Sequence, residues 1–245
     1  MDRSTETRDF YDRFSDDVLL EDFRRWNLRH QDIKRLCKEF VPRRARVLEI
    51  GCGVGIISRY LQTLDCRVVG VDLSPKNIEI AKAYVGSDRC EFKVIDVMEQ
   101  TGDLEVCGVF DVVLLPDVIE HIPKDKHGDL FAVIERQLSK SGRILLTFPS
   151  PEYQEYLRAN EPEHLQVVDE TVELEEILNA TSLALLYFSS RDVWHKNQYN
   201  HVVLTADRSY GVVPLEMSRL DSLSYRFRKR WWRLRNRLFL RKLKK

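Results

Sequence analysis

The chain of 245 residues is 43% hydrophobic and 32% charged, an ordinary globular balance that suits one α/β domain with additions. Its five scattered cysteines (Cys37, Cys52, Cys66, Cys90, Cys107) include no C-x-x-C pair, so neither a disulfide framework nor a zinc site is expected; no apolar N-terminal stretch and no run of ~20 apolar residues occurs, which points to a cytoplasmic chain. The formal net charge is zero, yet residues 226–245 carry eleven Lys or Arg and no acid, leaving 28 basic residues against all 39 acids in residues 1–225, a poor general nucleic-acid binder.

In chain order, the spacing of Phe10, Phe14 and Val18, then of Ile33, Leu36 and Phe40, predicts helices over about residues 8–22 and 27–40. Arg46–Ile50 reads as a buried strand that runs into Gly51-Cys52-Gly53-Val54-Gly55, and this turn opens a helix over Ile56–Leu64. Arg67–Val71 is a second strand, followed by a helix over Pro75–Tyr84 with Ser74 as N-cap and proline at its first position. Glu91–Ile95 and Phe110–Leu115 are the third and fourth strands. A helix over Asp125–Leu138, ended by Ser141-Gly142, leads to strand five, Arg143–Phe148. Residues 150–170 are polar, carry Pro151 and Pro162, and read as a loop or lid. Val172–Asn179 is helical, and Leu183–Ser190 and Tyr199–Thr205 read as a closing antiparallel pair. Strand and helix alternate, so the fold class is α/β with a doubly wound, mainly parallel sheet. The expected organisation is an N-terminal helical cap over residues 1–40, a ligand-binding domain over 41–210 and a basic C-terminal helix over 211–245.

Acids stand at or beside the carboxyl ends of the first four strands: Glu49, Asp72, Asp96 and Asp117. Ligands of open α/β sheets bind outside those ends, so the four should converge on one crevice. Gly51, Gly53 and Gly55 let the first turn fold tightly and bring backbone N–H groups close to a ligand.

The pattern Glu49-x-Gly51-x-Gly53-x-Gly55 resembles the first motif of class I S-adenosylmethionine-dependent methyltransferases. The run Phe110–Ile122, with Asp117-Val118-Ile119-Glu120-His121 inside it, resembles the family's fourth motif and post-motif. The resemblance covers about residues 45–150 and implies a Rossmann-like seven-stranded sheet with helices on both faces. It also assigns parts. Gly51, Cys52, Gly53 and Gly55 approach the methionine moiety, and Glu49 orients the turn from beneath. Asp72 grips the ribose, Leu73 packs on the adenine, and Asp96 with the Val97 N–H binds the adenine edge. Pro116 and Asp117 shape the mouth beside the sulfonium, and Tyr11 belongs to an N-terminal segment that folds over the cofactor. The competing dinucleotide fingerprint G-x-G-x-x-G/A needs a small residue three after Gly53, where Ile56 stands, and has no set role for Asp96.

Methyl transfer to a hydroxyl needs a base, and histidine is the default near neutral pH. His121, at the end of the post-motif, and His164, in the loop after strand five, are the candidates; His30, His127, His195 and His201 have no comparable context. No carboxylate and histidine cluster has metal-ligand spacing, so no metal is expected. Leu115-Pro116-Asp117 stands where an N-P-P-Y motif would mark methylation of nucleic-acid bases.

Leu220, Leu223, Phe227, Trp231, Leu234 and Leu238 form one stripe of a continuous helix, surrounded by the eleven cations. Aromatic and leucine residues beside Lys and Arg suit an interfacial helix on an anionic membrane surface, through residues 215–245. The expected function is transfer of a methyl group to a hydroxyl of a small-molecule, saccharide or lipid-linked acceptor, peripherally on the inner face of a membrane. Two other readings stay open: an RNA or protein methyltransferase guided by the tail, and a catalytically silent binding module of the same fold.

Overall fold

The computed structural model describes residues 27–97, 104, 107–162, 165 and 168–207. Tyr11, His164, the helix expected over 8–22 and the basic helix expected over 211–245 lie outside the described residues. The helices are α1 (Leu28–Phe40), α2 (Ile56–Gln62), α3 (Pro75–Val85), α4 (His127–Arg136), α5 (Pro151–Asn160) and α6 (Leu174–Ala180). The strands are β1 (Arg46–Ile50), β2 (Arg67–Asp72), β3 (Cys90–Val94), β4 (Phe110–Pro116), β5 (Leu138–Pro149), β6 (Ala184–Arg191) and β7 (Tyr199–Thr205).

The seven strands form one sheet in the order β3-β2-β1-β4-β5-β7-β6. The first five are parallel, and β7 runs antiparallel to both β5 and β6. The expected mainly parallel, doubly wound sheet is therefore present. Because a parallel sheet is covered on both sides, its central strands are mostly apolar, with Glu49 of β1 a buried exception. Alternate residues of β4 go to opposite cores. Val112 and Leu114 pack with Ile33, Leu36 and Cys37 of α1 and with Ile57 and Leu61 of α2. Val113 and Leu115 pack with Leu130, Phe131 and Ile134 of α4 and with Ile177 of α6. The order reverses between β1 and β4, which puts the carboxyl ends of β1, β2 and β4 around one crevice.

Local chemistry sets the helix ends. Asn27 caps α1 by accepting from the Arg29 N–H at 2.7 Å, and Ser74 caps α3 by accepting from the Asn77 N–H at 3.1 Å with Pro75 in the first turn. Two expectations need correction. Residues 151–160 are a helix, not part of a loop: the Ser150 hydroxyl accepts from the Tyr153 N–H at 3.1 Å, and Pro151 opens the helix where a missing N–H costs nothing. The helix expected over Asp125–Leu138 is a 3-10 turn at Lys124–Lys126 followed by α4, which ends at Arg136. Leu138 already pairs with Phe110, and Ser141-Gly142 falls in an irregular first part of β5, where the register shifts between Phe110 and Val112. Among the described residues, no helix is long and apolar enough to cross a membrane.

Candidate active site

The turn after β1 is fixed from below. The N–H groups of Gly51 and Cys52 both donate to the Val71 carbonyl, at 2.8 and 3.0 Å, which ties the turn to the end of β2. Gly51 and Gly53 take φ of 70° and 50°, in the left-handed region that side-chain-bearing residues avoid. They differ in surroundings. A Cβ on Gly51 would lie 2.4 Å from Val118 Cγ2, whereas one on Gly53 would meet nothing within 4 Å. The turn is closed at its start and open at its middle. Gly55, with φ of 82°, is the N-cap of α2.

Asp72 joins this turn to α3. Its Oδ2 accepts from the Gly53 N–H at 2.8 Å, and its Oδ1 accepts from the Ser74 N–H at 2.9 Å and from Asn77 Nδ2 at 3.1 Å. Leu73 follows it, half-buried. The Ile95 N–H donates to the Asp72 carbonyl at 3.1 Å, so the end of β2 also anchors the segment that carries half-buried Asp96 and Val97. The turn after β1, the end of β2 and the segment after β3 are thus hydrogen-bonded into one unit.

Glu49 is fully buried beneath the turn and accepts from the Ser58 hydroxyl of α2. Its Oε1 has no hydrogen-bond partner among the described residues. Burial pushes its pKa up to about 8, partly opposed by Ser58 and reinforced by the charge of Asp72. At neutral pH Glu49 is therefore mostly a neutral carboxyl group, and it does not add a negative charge to the crevice.

Asp117 lies at the mouth, just past half-buried Pro116, with φ of 55°. Its carboxylate receives Arg29 Nε at 2.9 Å and a second donation from Arg29 Nη2, and the Thr147 hydroxyl donates to it at 2.8 Å. Arg29 is buried, at 5% exposure, and reaches from α1 into a larger polar cluster. Its Nη1 donates to Asp32 at 3.1 Å, and its guanidinium lies 3.7 Å over the Tyr199 ring. Asp32 in turn meets His201 Nε2 at 2.8 Å and Arg191 Nε at 3.1 Å. This cluster is not among the residues expected from the sequence. Its signal is Arg29 and Asp32 standing three residues apart on the stripe that carries Ile33 and Leu36, where charge needs a buried partner.

Beyond Asp117, a 3-10 turn over Ile119–His121 places Glu120 and His121. Glu120 is buried, and its Oε2 lacks a hydrogen-bond partner among the described residues. Burial first, then the charge of Asp117, holds its pKa well above the usual carboxylate range. His121 Nδ1 lies 2.8 Å from the Val168 carbonyl, which can only accept, so Nδ1 carries the proton. Burial lowers the His121 pKa, and Nε2 is left as the basic nitrogen, 4.0 Å from Glu120 Oε1. His127, buried with Nε2 at 3.2 and 3.0 Å from the Ile119 and Ile122 carbonyls, braces the same turn.

Comparison with known proteins bears on the family and the fold. A family model described as a methyltransferase domain matches residues 22–187. A ubiquinone biosynthesis O-methyltransferase of Mesorhizobium japonicum is 35% identical over 102 residues, which cover 41% of this chain and 39% of that protein. The match thus spans about two fifths of that relative's length. Among solved structures, a TehB-like S-adenosylmethionine-dependent methyltransferase of Corynebacterium glutamicum aligns with a TM-score of 0.55 and 21% identity, over 74% of this chain and 88% of that one. The magnesium protoporphyrin IX methyltransferase of Synechocystis PCC 6803, with bound S-adenosylhomocysteine, aligns with a TM-score of 0.61 and 16% identity, over 82% of this chain and 98% of that one. At such identities the structural likeness speaks for the fold, and the family model, which spans more than half of the chain, carries the assignment. The chain belongs to this methyltransferase-domain family and shares the fold of S-adenosylmethionine-dependent methyltransferases.

Proposed function

We propose that the chain methylates a hydroxyl group of a small molecule, that Asp72 and Asp96 hold the cofactor, and that His121 takes the acceptor's proton. The observation that carries this reading is the junction at the carboxyl ends of β1, β2 and β4. An open glycine turn bonded to Asp72 lies on one side, and the turn bearing His121 follows β4 on the other.

The residues fit S-adenosylmethionine. The unfilled space at Gly53 admits close approach of a ligand to the turn, and Asp72 is braced by three donors in the place where a ribose diol is expected. Gly51, Cys52 and Gly55 shape the turn, with neutral Glu49 beneath it. Leu73 and Val97 flank the adenine, and Pro116 and Asp117 border the reacting end. When bound, the cofactor supplies an electrophilic methyl group on a cationic sulfur. His121 Nε2 would take the acceptor's hydroxyl proton as that oxygen is methylated. A neutral imidazole with Nδ1–H fixed on a carbonyl is ready for that step. Because the displacement is in line, alignment of the two reactants supplies much of the acceleration. The O-methyltransferase name of the sequence relatives supports a hydroxyl acceptor. The basic stripe at 215–245 supports a lipid-linked one presented at an anionic membrane surface.

Transfer of a labelled methyl group from S-adenosylmethionine into fractionated extract tests the reading. Label is expected in a low-mass, hydroxyl-bearing product. His121→Ala is expected to lower kcat by about 10²–10⁴-fold, the usual contribution of a general base, with cofactor affinity unchanged. Full turnover in that variant would move the role to His164, and label confined to protein or RNA would replace the small-molecule reading.

A further inference from the structure

The place of the proton on His121 is set by chain 47 residues further on. The Val168 carbonyl accepts from Nδ1 at 2.8 Å, and two residues later the Glu170 N–H donates to the Glu120 carbonyl at 2.8 Å. Residues 168–173 thus cross the turn that bears Glu120 and His121 and clasp it at two points. They belong to no helix or strand. A stretch without its own ladder of hydrogen bonds keeps its place only where other groups hold it.

Helix α5 supplies those groups. Gln154 and Arg158 stand one helical turn apart and both reach residues 169–171. Gln154 Nε2 donates to the Asp169 carboxylate, and its Oε1 accepts from Arg158 Nη2 at 3.0 Å. Arg158 Nη2 also donates to the Asp169 carbonyl at 2.8 Å, and its Nη1 donates to the Thr171 hydroxyl. At the far end Val172, 1% exposed, packs in the core that holds Ile119 and Ile122. Val168 therefore sits directly before a stretch that is pinned from two sides.

Packing alone does not account for these choices of residue. Of the ten side chains of α5 only Gln154 and Leu157 are buried, and the glutamine is the more deeply buried of the two, at 1% exposure. A buried amide must find partners out of water, and Gln154 finds them in the clasp. Arginine suits the next turn because its planar fork serves several acceptors at once.

We infer that Gln154 and Arg158 are positioning residues for the methyl transfer: they hold the Val168 carbonyl against His121 and so keep the imidazole proton on Nδ1. This rests on the reading of His121 as the base and deepens it. A neutral imidazole carries its proton on one nitrogen or the other, and the hydrogen bond made by one of them decides which. With the carbonyl in place, Nε2 is the nitrogen that accepts a proton. With the carbonyl released, a fraction of the molecules carries the proton on Nε2 and cannot act as base there. A reacting group whose support is loose loses rate in this way.

The test is nitrogen NMR of the full chain with isotope-labelled histidine, above the titration range of imidazole, with the His121 signals identified as those missing from His121→Ala. In the wild type Nδ1 is expected to read as protonated and Nε2 as unprotonated. Arg158→Ala, at an exposed position, is expected to move both signals toward the averaged values of mixed tautomers. Arg158→Lys, which recovers a single donation, should move them less. Should Arg158→Ala fail to fold, Gln154→Met, of similar volume, is expected to give the same shift. Affinity for S-adenosylmethionine, read by calorimetry, is expected to stay unchanged in all three. Unmoved His121 signals in Arg158→Ala and Gln154→Met would overturn the inference, as would a wild type with its proton on Nε2. The readout needs no turnover, so failure of the base reading would show separately, as full activity of His121→Ala.

Discussion

Glu49 shows that the place of a side chain and its charge are set by different parts of the chain. Its position, two residues before Gly51, is plain from the sequence, and the structure puts it beneath the turn. Its ionisation depends on burial by elements far along the chain, and on Ser58, which donates to it from α2. The carboxyl has a pKa of about 8 in the folded chain against an ordinary 4.5, so between those values the native state holds a proton that the unfolded chain has lost. The stability linked to it is therefore complete below about pH 4.5 and disappears as pH rises through 8. Across that window the unfolding free energy falls by up to about 1.4 kcal/mol per pH unit from this group alone. Glu49→Gln, which is neutral throughout, is expected to flatten that part of the profile. Urea titrations at pH 5 and pH 8.5 measure it, and an unchanged slope in the variant would show that Glu49 is ionised in the native chain.

Among the elements, α1 carries the largest surprise. Its apolar stripe is legible from Ile33, Leu36 and Phe40, but the role of Arg29 is not, because its partners lie 88 residues away at Asp117 and 172 away at His201. The local pattern announces a buried charge but not which distant residues meet it. The pairing makes α1 part of the mouth of the crevice. Arg29 is also a poor candidate for simple replacement. Arg29→Met leaves Asp32 buried with one cation fewer and removes both donors from one face of Asp117, and it is expected to destabilise the chain by about 3–5 kcal/mol. Arg29→Lys should recover only part of this, since an ammonium cannot donate as a fork. Denaturant unfolding of the two variants checks the order, and equal stability of Met and wild type would mean the cluster is not worth its desolvation. Helix α5 illustrates the opposite failure. Pro151 in a polar stretch reads as part of a loop, yet Ser150 is an N-cap and Pro151 a first-turn proline. Polar composition hid the helix because only Gln154 and Leu157 of its residues are buried.

Taken as a whole, the molecule is most legible where its sheet is most buried. The apolar strands, their order of appearance and the acids at their ends follow from residues 46–117, because a strand covered on both faces is mostly apolar along its length. Contacts across the sheet, such as Tyr199 beneath Arg29, depend on the β7 register and emerge only in three dimensions. The charge asymmetry of the chain points to a second surface. Removal of residues 215–245 is expected to abolish sedimentation with vesicles rich in anionic lipid while the full chain pellets; equal pelleting of both forms would deny the tail that role. The crevice itself is tested by calorimetric titration of S-adenosylmethionine into wild type and Asp72→Ala. Hydrogen bonds to a charged group contribute about 1.5–3 kcal/mol, so the variant is expected to bind about ten- to a hundredfold more weakly. Equal affinity in the two proteins, or no binding to wild type, would contradict the account.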